Sequence, residues 1–477
     1  MKPTSSKTKI VATIGPATSS KEILKELILA GVDVCRLNFS HGSYEDHAKV
    51  IQHVRDLNAE LQTEVALLVD LQGPKLRIGD IENNQVFLKD GEEFQIVTHP
   101  CIGNEKQAYM TYEQFPMDVN VGEEILIDDG KIRLKVTATN KIDMVKAIVV
   151  NGGVLSSHKG VNLPDTAVSL PCLTEKDIED LEFALSQNID WIGLSFVRKA
   201  TDILELKERI KKAKAHSFVV AKIEKPEALK ELDNIIDLSD GIMVARGDLG
   251  VEISFDKVPL IQKEIVKKCL SQAKPVIIAT QMLESMISTF RPTRAEATDV
   301  ANAVLDGADA LMLSGETSVG KFPIETVSAM QRIINYTEET SYHYYNYHAT
   351  KENDRTFLSD NICVTACKLA EQSCAKAIVV FSHSGYTAYQ VASYRPKADI
   401  YIFTNNEKLL PKLSLLWGAK LYYAPTFSSI DDAVNEASKK LAEQGLVKND
   451  DVLVFVGSTP IQAKGRTNMV KLTKIML

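Results

Sequence analysis

FVVAKIEKPEALKELDNIIDLSDGIMVARGDLG, residues 218–250, holds two apolar, β-rich runs joined by a polar connection, and each run ends in charge. The first run delivers Lys222 and Glu224, the second Arg246 and Asp248. Strand side chains alternate between faces, so Lys222 and Glu224 leave the end of one strand on the same side, and Arg246 and Asp248 repeat that spacing on the next. Two carboxylates and two cations at neighbouring strand ends suit a divalent metal and an anionic substrate. Magnesium takes one or two protein carboxylates and completes its shell with water and substrate phosphates. A single Lys-x-Glu would be better read as a structural ion pair, so the other strands must decide.

Upstream, KIVATIG (9–15), VDVCRLNFS (32–40) and VALLVDL (65–71) alternate with amphipathic helical patterns, one opened by Ser19-Ser20 and one spanning Tyr44–Leu61. Downstream the rhythm resumes with WIGLSF (191–196), continues through 218–224 and 241–247, and ends with PVIIATQ (275–281) and ADALMLSG (308–315). A last helix is expected to run to about Tyr347. Eight βα units predict a closed (βα)8 TIM barrel. An open doubly wound sheet is the competing arrangement, but no Gly-rich dinucleotide fingerprint follows the first strand. Between residues 72 and 169 the helices stop, and QVFLKDGEEFQIV, EEILIDDGKIRLKV and MVKAIVVNGG read as an inserted all-β unit, expected as a small β-barrel. It leaves the chain after the third strand, where it can fold over the barrel mouth as a lid hinged at Gly73-Pro74 and Asn162-Leu163-Pro164. The chain thus divides into a barrel (1–71 and 170–347), a lid (72–169) and a C-terminal α/β unit with an open sheet (350–477). In the last, a helix (360–374) precedes strands AIVVFS, IYIFT, LYYAP, DVLVFVG and MVKLTKIM, and YHYYNYHATKENDR (342–355) marks the boundary.

Composition narrows the function classes. The 477 residues exceed one ordinary core, and 45% hydrophobic with 25% charged residues describes a soluble globular protein. A net charge of -8 argues against general nucleic-acid binding while leaving room for a local cationic pocket. The seven cysteines form no CxxC pair, and no histidine or second pair completes a metal set around Cys363 and Cys367. Free thiols fit a reducing compartment. The polar opening MKPTSSKTK and the shortness of every apolar run predict a cytoplasmic protein with no membrane partner.

Active sites of such barrels lie at the C-terminal ends of the strands. There the sequence places Arg36, Asn38 and Ser40, then Asp70, Ser195, Lys222 with Glu224, Arg246 with Asp248, Thr280 with Gln281, and Glu316. Capping would explain any one of them. Their recurrence at the same end of strand after strand calls for a site.

These residues sit within TKIVATIGPATSS, CRLNFSHGSYEDH, DLQGPKLRIG, GLSFVR, AKIEKPEAL, IMVARGDLGVE, IATQMLESMISTFRPTRAEATDVANAV and LMLSGETSVGKFP, and over essentially its whole length the chain resembles the pyruvate kinases. The resemblance implies phosphoenolpyruvate plus ADP giving pyruvate plus ATP in glycolysis, with magnesium, or manganese in its place. It implies that Glu224 and Asp248 ligate the metal, and that Arg36 neutralises the transferring phosphoryl group with Arg77 reaching in from the lid hinge. Lys222 would stabilise charge on the bridging oxygen and nascent enolate, and amides around Gly247 and Asp248 would hold the substrate carboxylate. Thr280 would stand where the enolate carbon gains its proton, and Asn38 would line the substrate side. A magnesium-dependent carbon–carbon lyase of pyruvate enolate and a catalytically weak homologue sensing phosphorylated metabolites are the rival readings. The presence of Lys222, Glu224 and Asp248 together argues against the second.

Members of the family that need potassium read something like DTKGPEIR where this chain has DLQGPKLR, and hold the ion with side chains like Asn38, Ser40 and Asp70. Here Leu71, Gln72 and Lys75 replace Thr, Lys and Glu. A lysine ammonium carries the ion's single charge on a flexible stem. This resembles the potassium-independent branch, so no potassium requirement is expected; a solvated hinge lysine with the ion site intact is the alternative. In the C-terminal unit, Ser382, Ser384, Gly385 and Thr387 offer hydroxyls and amides at a helix start, which suits a phosphate. Lys464 and Arg466, in the separate stretch AKGRTN, are candidates to contact a second anionic group. The resemblance implies a phosphorylated effector there and a homotetrameric assembly; a purely structural domain is the alternative.

Overall fold

The computed structural model describes residues 6–349, 355–461 and 465–476. Eight parallel strands close in chain order: Lys9–Ile14, Val34–Asn38, Ala66–Asp70, Trp191–Leu194, Phe218–Ile223, Gly241–Ala245, Val276–Ala279 and Ala310–Leu313, the last pairing with the first. Every residue of most of these strands is buried, as expected when helices cover one face and the barrel interior the other. Val11, Val34, Leu68, Trp191, Val220, Met243, Ile277 and Met312 fill the interior. The helices start where short polar side chains permit it. Ser20 and Ser43 accept amides of the first turn, and Thr174 with Asp177 and Thr293 with Glu296 close reciprocal capping boxes, each worth about 1 kcal/mol.

The lid is all-β apart from two short helical turns, Glu82–Asn84 and Phe115–Asp118. Its strands form a six-stranded sheet and a separate ribbon of Gln85–Leu88 with Gly153–Ser156. Register shifts in the Ile132–Thr139/Met144–Asn151 pair bend the larger sheet, and single bridges Arg77–Gly160 and Ile78–Met110 attach the first lid connection beside its two edge strands, Val161–Asn162 and Gln107–Tyr109.

The C-terminal unit is a five-stranded sheet in the order Ala419–Tyr423, Asp399–Thr404, Ala377–Phe381, Val452–Gly457, Met469–Lys474, with only the last pair antiparallel. It docks on the N-terminal end of the barrel. Arg395, 1% exposed, pairs with Asp309 at 2.8 Å and stands over the Trp417 ring, while Leu415 joins the barrel's interior cluster. This docking shortens the last barrel helix, which ends at Thr340 rather than near Tyr347. Past that point Tyr342 and Tyr344 pack against Trp417, and Tyr345 and Asn346 donate their amides to the carbonyls of Arg395 and Tyr394. Partners in the C-terminal unit thus replace another helical turn.

Candidate active site

At the C-terminal mouth of the barrel, parallel register sets Asn38 level with Asp70 and Asp70 level with Gly193. Arg36 donates to Asp70 Oδ2 through Nε at 3.0 Å and again through Nη2, and to Thr13 Oγ1 at 2.9 Å. From the fifth strand, Lys222 Nζ lies 3.2 Å from Asp70 Oδ1 and 2.9 Å from Glu224 Oε1. It also donates to Ser195 Oγ at 2.8 Å, whose own proton goes to the Leu71 carbonyl at 2.6 Å. Glu224 Oε2 accepts the Phe196 amide at 2.7 Å. A Cβ on Gly193 would stand 2.9 Å from Asp70 Oδ1, so glycine there makes room for the carboxylate. All four charged side chains are buried.

Burial alone would push these groups toward neutrality, and their neighbours decide the outcome. Lys222 is held above the usual lysine range because Asp70 and Glu224 outweigh the desolvation that would lower it. Desolvation likewise acts to raise Asp70, but Lys222 and Arg36 overcome it and hold its carboxyl below the ordinary value. Glu224 goes the other way: burial raises it, and the negative charge of Asp248 adds to burial against the attraction of Lys222. Asp248 itself is exposed at the cleft. Two carboxylates that disfavour each other's charge, one buried and one facing the opening, form a set that a divalent cation would relieve.

The second half of the 218–250 motif departs from its sequence reading. The sixth strand ends at Ala245, and Arg246–Glu252 is a short helix, so the spacing that would put Arg246 and Asp248 on one face of a strand no longer does. Arg246 turns away to pair with Asp299 at 2.8 Å and to donate to the Thr280 carbonyl at 2.7 Å. The Gly247 amide donates to Thr280 Oγ1 at 2.7 Å, and that hydroxyl donates to Ala279 O at 2.6 Å. Thr280 and Gln281 both sit in the left-handed region, at φ +69° and +54°. Glu316 is buried and occupied in accepting the amides of Leu283 and Ser314, a capping role.

The lid's connections show where the remaining residues lie. Gly73 adopts φ +70° and gives its amide to Asp177 at 3.0 Å; a Cβ there would come within 2.7 Å of Phe196. Arg77 belongs to the lid, its guanidinium donating to His158 O at 3.0 Å, and is not among the groups gathered around Lys222. Lys75 is exposed, lines the cleft between lid and barrel with Asn162 and Asp248, and has no ion pair or side-chain hydrogen bond among the described residues. Asn38 Oδ1 accepts the Ser40 amide at 3.2 Å beside the paired Asp70, and Leu71 closes that corner with its amide on Gly193 O. Three contacts were missed in the sequence. Asn162, in the lid, donates to Glu252 Oε1 at 2.8 Å, and Lys225 reaches the same oxygen at 2.6 Å. Arg198 grips the second lid connection through the carbonyls of Val168 and Leu170. Arg198, Lys225 and Glu252 all lie inside the quoted motifs GLSFVR, AKIEKPEAL and IMVARGDLGVE, but nothing in the local spacing pointed to their partners.

In the C-terminal unit a cavity of about 360 Å³ is lined by Ser382, Ser384, Thr387, Asn405, Arg466 and Thr467 among others. Gly385, at φ +88°, gives its amide to Ser382 Oγ, and Thr387 is bonded to Thr467. Arg466 borders the cavity with its guanidinium on Arg355 O, while Lys464 lies outside the described residues. No helix among the described residues is long and apolar enough to cross a membrane.

Comparison with known proteins identifies the family to which the chain is similar. Residues 5–327 match the family model described as pyruvate kinase, barrel domain, and residues 360–473 the one described as pyruvate kinase, alpha/beta domain. The chain is 44% identical to a pyruvate kinase of Geobacillus stearothermophilus over 98% of its own length and 80% of the relative's. It is 42% identical to one of Mycobacterium intracellulare over 98% of both chains. A crystal structure of a pyruvate kinase from Cryptosporidium parvum superposes with a TM-score of 0.91 at 34% identity, covering 98% of this chain and 96% of that one. The chain belongs to the pyruvate kinase family.

Proposed function

We propose that this chain transfers the phosphoryl group of phosphoenolpyruvate to ADP, giving pyruvate and ATP. The observation that carries the reading is the buried Arg36–Asp70–Lys222–Glu224 network beside exposed Asp248, at the mouth of a barrel carrying a hinged lid. Its cations are held rigidly before any substrate arrives, so they stabilise developing charge without reorganising. Arg36 neutralises the phosphoryl oxygens as an ADP oxygen attacks phosphorus and the bond to the bridging oxygen breaks. Lys222 stabilises the electron pair left on that oxygen. The resulting enolate gains a proton at its methylene carbon beside Thr280, through water, since an unperturbed hydroxyl is a poor acid. The Asp248 amide, beside the Gly247 amide that holds Thr280 Oγ1, receives the substrate carboxylate. Arg77 reaches the phosphoryl group only when the lid closes.

Magnesium fits the residues present. Among the described residues no group of three or more His, Cys, Asp or Glu gathers as a full ligand set, and magnesium needs only one or two carboxylates. Glu224 and Asp248, whose charges oppose each other, would hold it, and when bound it supplies charge neutralisation to the phosphate and carboxylate oxygens. We further propose that Lys75 replaces potassium: it stands uncommitted at the hinge, and Asp70 is already balanced by Arg36 and Lys222. The cavity around Ser382, Ser384 and Thr387 is read as the site of a phosphorylated effector, and the chain as the subunit of a cytoplasmic homotetramer.

The test is pyruvate formation from phosphoenolpyruvate and ADP with magnesium, in buffer scrubbed of potassium and again with potassium restored. Activity in both supports the reaction and the Lys75 reading. Activity with potassium alone keeps the reaction and discards that reading. Silence in both, persisting when sugar phosphates are added, overturns the assignment in favour of a metabolite sensor.

A further inference from the structure

Thr280 is held in a conformation it would not adopt on its own. A β-branched residue at φ +69° is a backbone outlier, and such residues persist only where their surroundings over-determine them. Here two consecutive residues do so. Gly247 gives its amide to the Thr280 hydroxyl at 2.7 Å, and Arg246 gives Nη2 to the Thr280 carbonyl at 2.7 Å and, more loosely, to that of Gln281 at 3.4 Å. The guanidinium is anchored from behind by Asp299, with Nη1–Oδ1 and Nη2–Oδ2 both 2.8 Å, on the helix Arg294–Asp306. It is therefore committed to the protein, with its side chain only 12% exposed.

We infer that Arg246 is a positioning residue for the proton-transfer half of the reaction: it locks the left-handed 280–281 turn so that the Thr280 hydroxyl faces the enolate carbon. This rests on the proposed proton site at Thr280. The chemistry requires a planar fork. One guanidinium edge spans carboxylate and carbonyl at once, whereas a lysine ammonium is a point charge on a flexible stem. Positioning and direct substrate contact therefore make opposite forecasts for Arg246→Lys, which keeps the charge and loses the fork.

The measurement is the exchange of pyruvate's methyl protons with solvent deuterium, followed by NMR on the full chain with magnesium and ATP, alongside steady-state pyruvate formation. Arg246→Lys and Arg246→Met should both slow exchange by roughly ten- to hundredfold, the worth of a hydrogen bond to a charged group, and leave KM for phosphoenolpyruvate within about threefold. Combined with Thr280→Ala, either should add no further loss in exchange, because both act through one hydroxyl. Asp299→Asn loosens the clasp from the far side and should slow exchange in the same direction, which keeps the test sound if an Arg246 variant fails to fold. Parental exchange in Arg246→Lys, losses that add to those of Thr280→Ala, or a raised KM with unchanged exchange would each overturn the inference. If Thr280→Ala alone exchanges at the parental rate, the proton site itself falls, and the inference with it.

Discussion

Replacing Lys222 with methionine removes one charge and keeps an unbranched apolar stem in its place. At 3.2 and 2.9 Å from Asp70 and Glu224, and with an effective dielectric of about 20, each attraction is roughly 5 kcal/mol gross. Most of that is consumed in keeping the charges out of water, and breaking a buried pair costs about 3–5 kcal/mol of stability. The lower end applies here, because Arg36 still holds Asp70 and the Phe196 amide still holds Glu224. The barrel should fold. The catalytic loss is set by what the ammonium does for charge developing on the bridging oxygen, about 3–4 kcal/mol by comparison with other preorganised donors, or a hundred- to thousandfold in kcat. A second signature follows from Glu224. Burial and Asp248 raise it, and Lys222 is the main opposing influence. Without Lys222 it climbs further, and because magnesium needs the ionised carboxylate, the acid limb of the residual rate should move to higher pH. The assay is pyruvate formation across pH, with near-ultraviolet circular dichroism to check the fold. A folded variant with kcat within about fivefold of the parent and an unmoved acid limb would refute the role given to Lys222.

Lys75→Glu should make turnover depend on potassium, measured as activity with and without the ion; an unchanged response would leave Lys75 a solvated hinge lysine. Ser384→Asp places a negative charge in the C-terminal cavity and should abolish any shift in phosphoenolpyruvate half-saturation produced by fructose bisphosphate, ribose or glucose phosphate, or AMP. Asp190 accepts the Leu67 amide, and burial raises its carboxyl to about 6, against the amide bond and the charges of Lys412 and Arg55. The folded state then binds more protons than the unfolded between about pH 4 and 6, so stability falls as pH rises through that window. Asp190→Asn should accordingly raise the unfolding temperature at pH 8, by the equivalent of up to roughly 3 kcal/mol, and have no such effect at pH 4.

Much of this was legible because period and placement agree. The helix expected around Tyr44–Leu61 is there, and the strand ends that collect Arg36, Asp70, Lys222 and Glu224 form one buried network. Lys222 lies in the fifth strand and Glu224 one residue past its end at Ile223, and the two side chains still meet at 2.9 Å. The reading failed where a local period changed without a marker. VARGDLG carries no proline or N-cap side chain to announce that the strand becomes a helix at Arg246, so a two-residue spacing was carried one step too far. It also failed where partners are distant in sequence. Asn162 and Glu252 are 90 residues apart, and Arg395 and Asp309 are 86.

The misread cation is itself informative. A surplus positive charge beside Lys222 would bind the anionic substrate more tightly in ground and transition states alike, which lowers KM without raising kcat. Spent on Asp299 and the Thr280 carbonyl, the same charge fixes the geometry of a single later step. The arrangement therefore separates the tasks by strand. In the proposed reaction, the second, third and fifth strands supply charge for phosphoryl transfer and, just past the fifth, the metal carboxylate Glu224, while the segments after the sixth and seventh supply the second carboxylate, Asp248, and a strained, clasped turn for the proton. Substitutions in the first group should depress phosphoryl transfer and proton exchange by different factors from those in the second. Exchange measured beside turnover for Arg36→Met and Arg246→Met would show that division, and equal ratios in the two variants would count against it.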